Sequence, residues 1–271
     1  MRRRRSGWGV LAVGALLASG LAAGAVPAAA VTDSADHATR LSACVAAAAE
    51  DRKFSDVSEG HAHRAAINCI AYYQITQGTG DGSTYSPNQD VTRAQMAVFV
   101  ARAATAAGVA LGSGSGGFND IGRTWAEARD AINGLAARGM IPSGGAFRPD
   151  DTITRAEMAT FLIGLLAKAS PNVTIDSAGV ILLGAPGSRA EADDHFADAR
   201  ASVHAANDAE ISALYELGVT RGASPAAVRD GTEPPLDFNY EPEVTVDRGQ
   251  MAEFITRALS HTTVRPAGVT T

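Results

Sequence analysis

The chain has 271 residues and is 46% hydrophobic, enough for one or two packed domains. Its net charge is −6, and it becomes −10 once the first thirty residues, with four arginines and no acids, are set aside. So acidic a chain is a poor partner for nucleic acid or an anionic membrane surface, and any site for an anion has to be a local exception.

The first thirty residues, "MRRRRSGWGVLAVGALLASGLAAGAVPAAA", combine four arginines, an apolar run from Trp8 and small residues at Ala28-Ala29-Ala30. That is the pattern of an export signal peptide, and the reading places the mature protein outside the cell. An uncleaved N-terminal anchor is the other reading. The pattern does not separate the Sec from the twin-arginine route. No later stretch approaches the ~18 apolar residues that a spanning helix needs. Residues 31–53 read as an N-terminal helical extension carrying Cys44. After export, Cys44 and Cys69, the two cysteines of the chain, form a disulfide; two buried thiols are the alternative.

The rest of the chain repeats itself. The first unit, 54–107, opens with "FSDV" and ends in "VTRAQMAVFVARA". The second, 118–170, opens with "FNDI" and ends in "ITRAEMATFLIGLLA". The third, 196–260, opens with "FADA" and ends in "VTVDRGQMAEFITRAL", after an insertion rich in proline and acids. Each unit reads as helix, loop, helix. The first helices carry Ile67 and Ile70, Ile132 and Leu135, Ile211 and Leu214, three apart as a buried face requires, and stop near Gly78, Gly139 and Gly218. The second helices repeat an apolar stripe: Met96, Phe99, Val100 and Ala103; then Met158, Phe161, Leu162 and Leu165; then Met251, Phe254, Ile255 and Ala258. One unit cannot bury its own stripe, but three together can. The stretch 108–117 is a flexible linker, 171–195 an insertion with a short surface hairpin, and 261–271 a tail.

The second helices start on capping boxes: Thr92 with Gln95, Thr154 with Glu157, and Asp247 with Gln250 as a variant. The residue after each cap is Arg93, Arg155 or Arg248, where a cation meets the positive end of the helix dipole. Two readings stand. Each arginine pairs with a nearby acid (Asp81, Asp90, Asp150, Asp151 or Glu243) and staples a loop. Or each guanidinium joins the free N–H groups of its helix to hold an external carboxylate through two parallel hydrogen bonds.

The ordered Phe-x-Asp opening, Gly-aromatic-Pro loop and Thr-Arg-Ala-[Glu/Gln]-Met helix start resemble the S-layer homology repeat, over most of residues 54–260. The resemblance implies a mainly α fold of three helix-loop-helix units around a pseudo-threefold axis, with a central helical bundle and grooves between units. It implies non-covalent attachment to anionic, often pyruvylated, cell-wall polysaccharide or to peptidoglycan, with no cofactor. The ligand-contacting role maps onto Arg93, Arg155 and, less closely, Arg248; Glu157, Gln95 and Trp125 are further candidate ligand-binding residues, Trp125 either stacking on a sugar face or simply packing. There are departures. The family's first-helix Trp, five residues before the Ile, is Ala62 in unit one, while Trp125 and His204 stand seven before their Ile residues. Unit three has Asp247 and Gly249 in place of Thr and Ala.

Other chemistry is weakly marked. His61 and His63 read as solvent-facing residues at a helix start rather than a metal site. Asp81-Gly82 and Asp230-Gly231 read as turns, lacking the acidic spacing of a calcium loop. No nucleophile elbow, zinc-protease helix or phosphate loop occurs, and the reading is non-enzymatic. The leading expectation is envelope binding. The alternative is an extracellular protein–protein interaction scaffold or S-layer structural subunit whose arginines are internal staples.

Overall fold

A computed structural model describes residues 42–184, 188–189, 195–196, 198–199, 205–225, 238–267 and 269. The export segment, His204 and Asp230-Gly231 lie outside the described residues. The protein is mainly α. Among the described residues its α-helices are α1 (Arg64–Tyr72), α2 (Arg93–Ala106), α3 (Ala126–Ala137), α4 (Arg155–Ala169), α5 (Asp208–Glu216) and α6 (Arg248–Ser260).

The long helices α2, α4 and α6 all begin on complete capping boxes. Thr92, Thr154 and Asp247 accept from the N–H groups of Gln95, Glu157 and Gln250, whose side chains accept in return from the cap N–H groups. Their stripes are buried: Met96, Met158, Met251, Val100, Leu162 and Ile255 have no exposure. Each shorter helix ends on one residue in the left-handed region: Gln74 (φ 57°), Gly139 (φ 70°) and Gly218 (φ 69°). The next N–H reaches back into the last turn, from Ile75 to Ile70, Met140 to Leu135 and Val219 to Leu214, closing the helix as a Schellman motif does. In the first unit the stop is thus Gln74, not Gly78 as expected; Gly78 belongs to the following turn.

Packing is between units rather than within them. Helix α3 lies on α2, α5 on α4, and α1 on α6, so the first helix is covered by the last. The strand-like residues ahead of the long helices close a ring of backbone bonds: Val91 N–H to Val246 C=O (2.9 Å), Val246 N–H to Ile153 C=O (3.1 Å), Ile153 N–H to Val91 C=O (2.9 Å). Gly164 sits where α4 meets the end of α3. A Cβ there would lie 1.7 Å from the Met140 carbonyl oxygen, so only glycine permits the approach.

The stretch before α1 differs from the helical extension expected. Its described part holds one short 3-10 turn, Ala46–Ala49, and Cys44 stands outside it. The segment acts as a strap. Cys44 is disulfide-bonded to Cys69 of α1, the Ala43 N–H donates to Ser260 Oγ at the end of α6, and Tyr73 Oη donates to the Ala43 carbonyl. The hairpin after α4 is present as antiparallel β1 (Val173–Ile175) and β2 (Ile181–Leu183), with β3 (Ser188–Arg189) beside β2. It is more than a surface feature, because Val173, Ile181 and Leu183 are buried against α4 and α5. A second small pair joins β4 (Ser224–Pro225) and β5 (Phe238–Asn239).

Candidate functional site

The Phe-x-Asp openings build the loops that receive the arginines. Asp56 accepts from the N–H groups of Tyr85 (2.8 Å) and Ser86 (2.6 Å), Asp120 from Phe147 (2.8 Å) and Arg148 (2.7 Å), and Asp198 from Tyr240 (2.7 Å) and Glu241 (2.8 Å). The second residue of each pair has positive φ, at 58–59°. A carboxylate accepting two N–H groups holds that unfavourable turn. Burial pushes the Asp120 pKa up, but the Phe147 and Arg148 N–H groups outweigh it, and the net shift is downward. The opening phenylalanines lie against the same loop aromatics: Phe54 on Tyr85, Phe118 on Phe147, Phe196 on Tyr240.

The arginines leave their own helix N-termini and cross to these loops. Arg93 Nε donates to the Phe147 carbonyl, Arg155 Nε to the Tyr240 carbonyl and Arg248 Nε to the Tyr85 carbonyl, each at 2.7 Å. Each guanidinium also lies over the ring of that aromatic, at 5.0, 4.5 and 4.6 Å. Arg155 and Arg248 lie over Phe254 and Phe99 as well. The acids expected as partners (Asp81, Asp90, Asp150, Asp151, Glu243) are not the partners. The arginines bond carbonyls and rings that lie 54, 85 and 163 residues away.

Past Nε the three positions diverge. Arg93 Nη1 forms an ion pair with Glu157 Oε1 at 2.7 Å, and Arg148 binds the same carboxylate. Burial raises the Glu157 pKa, but Arg93, the Thr154 N–H and Arg148 together bring it below the usual range. A cavity of about 200 Å³ beside this pair is lined by Phe118, Phe147, Phe161 and Asn207. At Arg155 the place of Glu157 is taken by Gln250, and the guanidinium opens on a cavity of about 220 Å³. Arg155 is 7% exposed, its Nη2 donates to the Arg221 carbonyl at 3.4 Å, and among the described residues Nη1 has no partner. Arg248 is 4% exposed and leaves Nη2 buried without a partner among the described residues; burial lowers its pKa, against raising influences from Tyr85 and Asp56.

Gln95 and Gln250 serve their capping boxes, and Gln250 also lines the Arg155 cavity. Trp125 is the N-cap residue of α3, 47% exposed, and lines neither cavity. His63 is not simply solvated as expected. It occupies the N-cap position of α1 without a side-chain cap bond, and its Nδ1 lies 2.6 Å from Glu253 Oε2 at the edge of the Arg155 cavity. It also accounts for Gly249, where a Cβ would stand 2.7 Å from His63 Cδ2. Asp81 accepts from the Ser83 N–H and hydroxyl, the turn chemistry expected of Asp81-Gly82. The sequence reading passed over Arg221, Arg257 and Glu253; Arg221 and Glu253 lie outside the repeated pattern, whereas Arg257 stands nine residues after Arg248 as Arg102 does after Arg93.

Two segments of the chain, residues 53–97 and 117–159, match the S-layer homology domain family. Each runs from the Phe-x-Asp opening into the first turn of α2 or α4, and so contains one clamp, one loop aromatic and one crossing arginine. Together they span less than half of the chain, and neither extends into residues 196–260. No curated protein matches the chain.

Proposed function

We infer that the protein is a non-catalytic, exported component of the cell envelope, attached without a covalent bond to an anionic cell-wall polysaccharide or to peptidoglycan. S-layer homology domains generally mediate attachment to the cell wall, and two stand in this chain. In this reading residues 196–260 are a third, diverged unit, and the three are related by a pseudo-threefold axis. The ring of Val91, Ile153 and Val246 and the cyclic order of the arginine contacts support that arrangement.

The observation that carries the function is Arg155: a guanidinium buried to 7% exposure, with no carboxylate within ion-pair distance among the described residues, facing a cavity of about 220 Å³. A buried cation without a counter-ion is costly unless a ligand supplies one. A carboxylate on a sugar does so with the two-pronged geometry that Arg favours. Arg93 is already neutralised by Glu157 and is the weakest of the three candidates. Trp125, exposed at the start of α3, is available as a stacking surface for a sugar ring.

The test is sedimentation of the protein with purified cell walls, before and after chemical stripping of secondary polysaccharide, with an Arg155→Ala variant alongside and its melting temperature checked. Loss of binding on stripping, and in a still-folded variant, supports the anchor. Binding indifferent to both refutes it.

A second reading is an extracellular protein–protein interaction module or S-layer structural subunit with the arginines as internal staples. The Arg93–Glu157 pair and the three Nε-to-carbonyl bonds favour it for part of each side chain. It predicts that Arg155→Ala lowers the melting temperature while wall binding survives.

A further inference from the structure

The Arg155 cavity differs from its counterparts in one more way: it gathers cations. Arg221, exposed just after α5, offers its carbonyl to Arg155 and lines the cavity. Arg257, on α6, lines it too. Against these three guanidiniums stands one carboxylate, Glu253, already engaged by His63 and by Arg257. Burial lowers the Arg257 pKa, Glu253 raises it, and the proximity of Arg221 lowers it again. Among the described residues Arg221 has no carboxylate within ion-pair distance.

Like charges held together without a counter-ion destabilise the protein they sit in. A structural role for Arg221 calls for an acid beside it, or for packing that its exposure denies. What resolves the cluster is an anion from outside, and one carboxylate at Arg155 leaves Arg221 without a counter-ion and Arg257 balanced only by the Glu253 it shares with His63.

We propose that the cavity is a two-anion subsite: Arg155 receives one oxyanion, and Arg221 with Arg257 receives a second, carried by the neighbouring residue of the same acidic wall polymer. This rests on the anchor reading and adds to it that the ligand is recognised as a charged repeat rather than as a single acidic terminus. The shared chemistry is two successive oxyanions on one chain. A uronate glycan and a phosphodiester-linked polymer both supply it.

The experiment is calorimetric titration of the full chain with a single uronate sugar, a uronate trimer and a glycerol-phosphate trimer. Parent, Arg221→Glu and Arg155→Ala are compared, each with its melting temperature recorded. The parent prefers at least one trimer to the single uronate by roughly tenfold, the size of one further charge contact in a partly screened site. Arg221→Glu loses that preference and binds the single uronate as the parent does; Arg155→Ala weakens both. The trimer on which Arg221→Glu loses more identifies the source of the charge. Equal trimer affinity for parent and Arg221→Glu overturns the two-anion subsite, and if walls still sediment the protein the anchor reading survives. A parent that binds neither walls nor any of the probes overturns both.

Discussion

Tyr85 and Arg248, 163 residues apart, are joined in both directions: Arg248 Nε donates to the Tyr85 carbonyl, and Tyr85 Oη donates to the Arg248 carbonyl, each at 2.7 Å. The guanidinium lies 4.6 Å over the phenol ring. Tyr240 and Arg155 repeat the arrangement, with the hydroxyl bond at 3.0 Å. Phe147 lacks the hydroxyl, so its link to Arg93 runs one way.

Tyr85→Phe isolates the return bond, since Phe147 shows that the ring alone is accommodated. The Arg248 carbonyl stays within its helix ladder, and the loss is about 1 kcal/mol. For a protein of this size that corresponds to roughly 2–4 °C in thermal melting. A variant melting with the parent would mean that the hydroxyl contributes nothing to joining the loop to α6.

Gly164→Ala is the most damaging single methyl that the described structure offers. The new Cβ meets backbone, the Met140 carbonyl, which cannot swing aside as a side chain could. We expect a loss of about 3 kcal/mol or more, seen in denaturant titration as an earlier midpoint at unchanged slope. Parent-like stability would mean that α3 and α4 pack less closely than described.

Glu157→Gln keeps the capping box, as Gln95 and Gln250 demonstrate in α2 and α6, and removes only the charge facing Arg93 and Arg148. The native pKa of Glu157 is depressed, so its contribution is present above the unfolded carboxyl value and lost as pH falls through the lower, native one. The parent should exceed the variant by about 1–3 kcal/mol at neutral pH, with the gap closing in acid. The same change releases Arg93, so the variant should gain anion affinity at that cavity. A pH-independent gap would remove the ion pair from the account.

Glu210 sits where the first two units have Ala66 and Ala131, with Oε2 buried and without a partner among the described residues. Burial, with Asp208 nearby, raises its pKa. The sign is opposite to that of Glu157: the native state keeps a proton that the unfolded chain has lost, so the penalty appears as pH rises above the unfolded value. Glu210→Gln should therefore stabilise by about 1 kcal/mol at pH 7 and be nearly neutral below pH 4. Destabilisation at pH 7 would show that the charged carboxylate has a partner.

The capping boxes, the buried stripes and the disulfide were legible in the sequence because each is a local pattern or a pair without alternatives. The partners of the repeated residues were not. Asp56, Asp120 and Asp198 were visible as parts of the unit openings, but the N–H groups they hold lie 27–43 residues ahead. The arginines reach further still, into another unit, so searching their own loops for acids named the wrong groups. Gln74 hid a helix stop because the glycine beyond it was the stronger signal. Arg221 was invisible for a different reason: it belongs to no repeat, and only the fold carries it to Arg155.

On the proposed three-unit reading, the covering of α1 by α6 also decides how many such units one chain can hold. An open stack of repeats can be lengthened at will, because its exposed end faces are finished by polar terminal units. Here the two ends finish each other, and the strap of Cys44 and Ala43 is laid across that last seam. A further helix-loop-helix spliced in after α6 would have no uncovered helix to meet. On the proposed three-unit reading the array is self-counting: its size is set by closure, and growth comes from loops and insertions, such as residues 171–195 and the segment between α5 and α6.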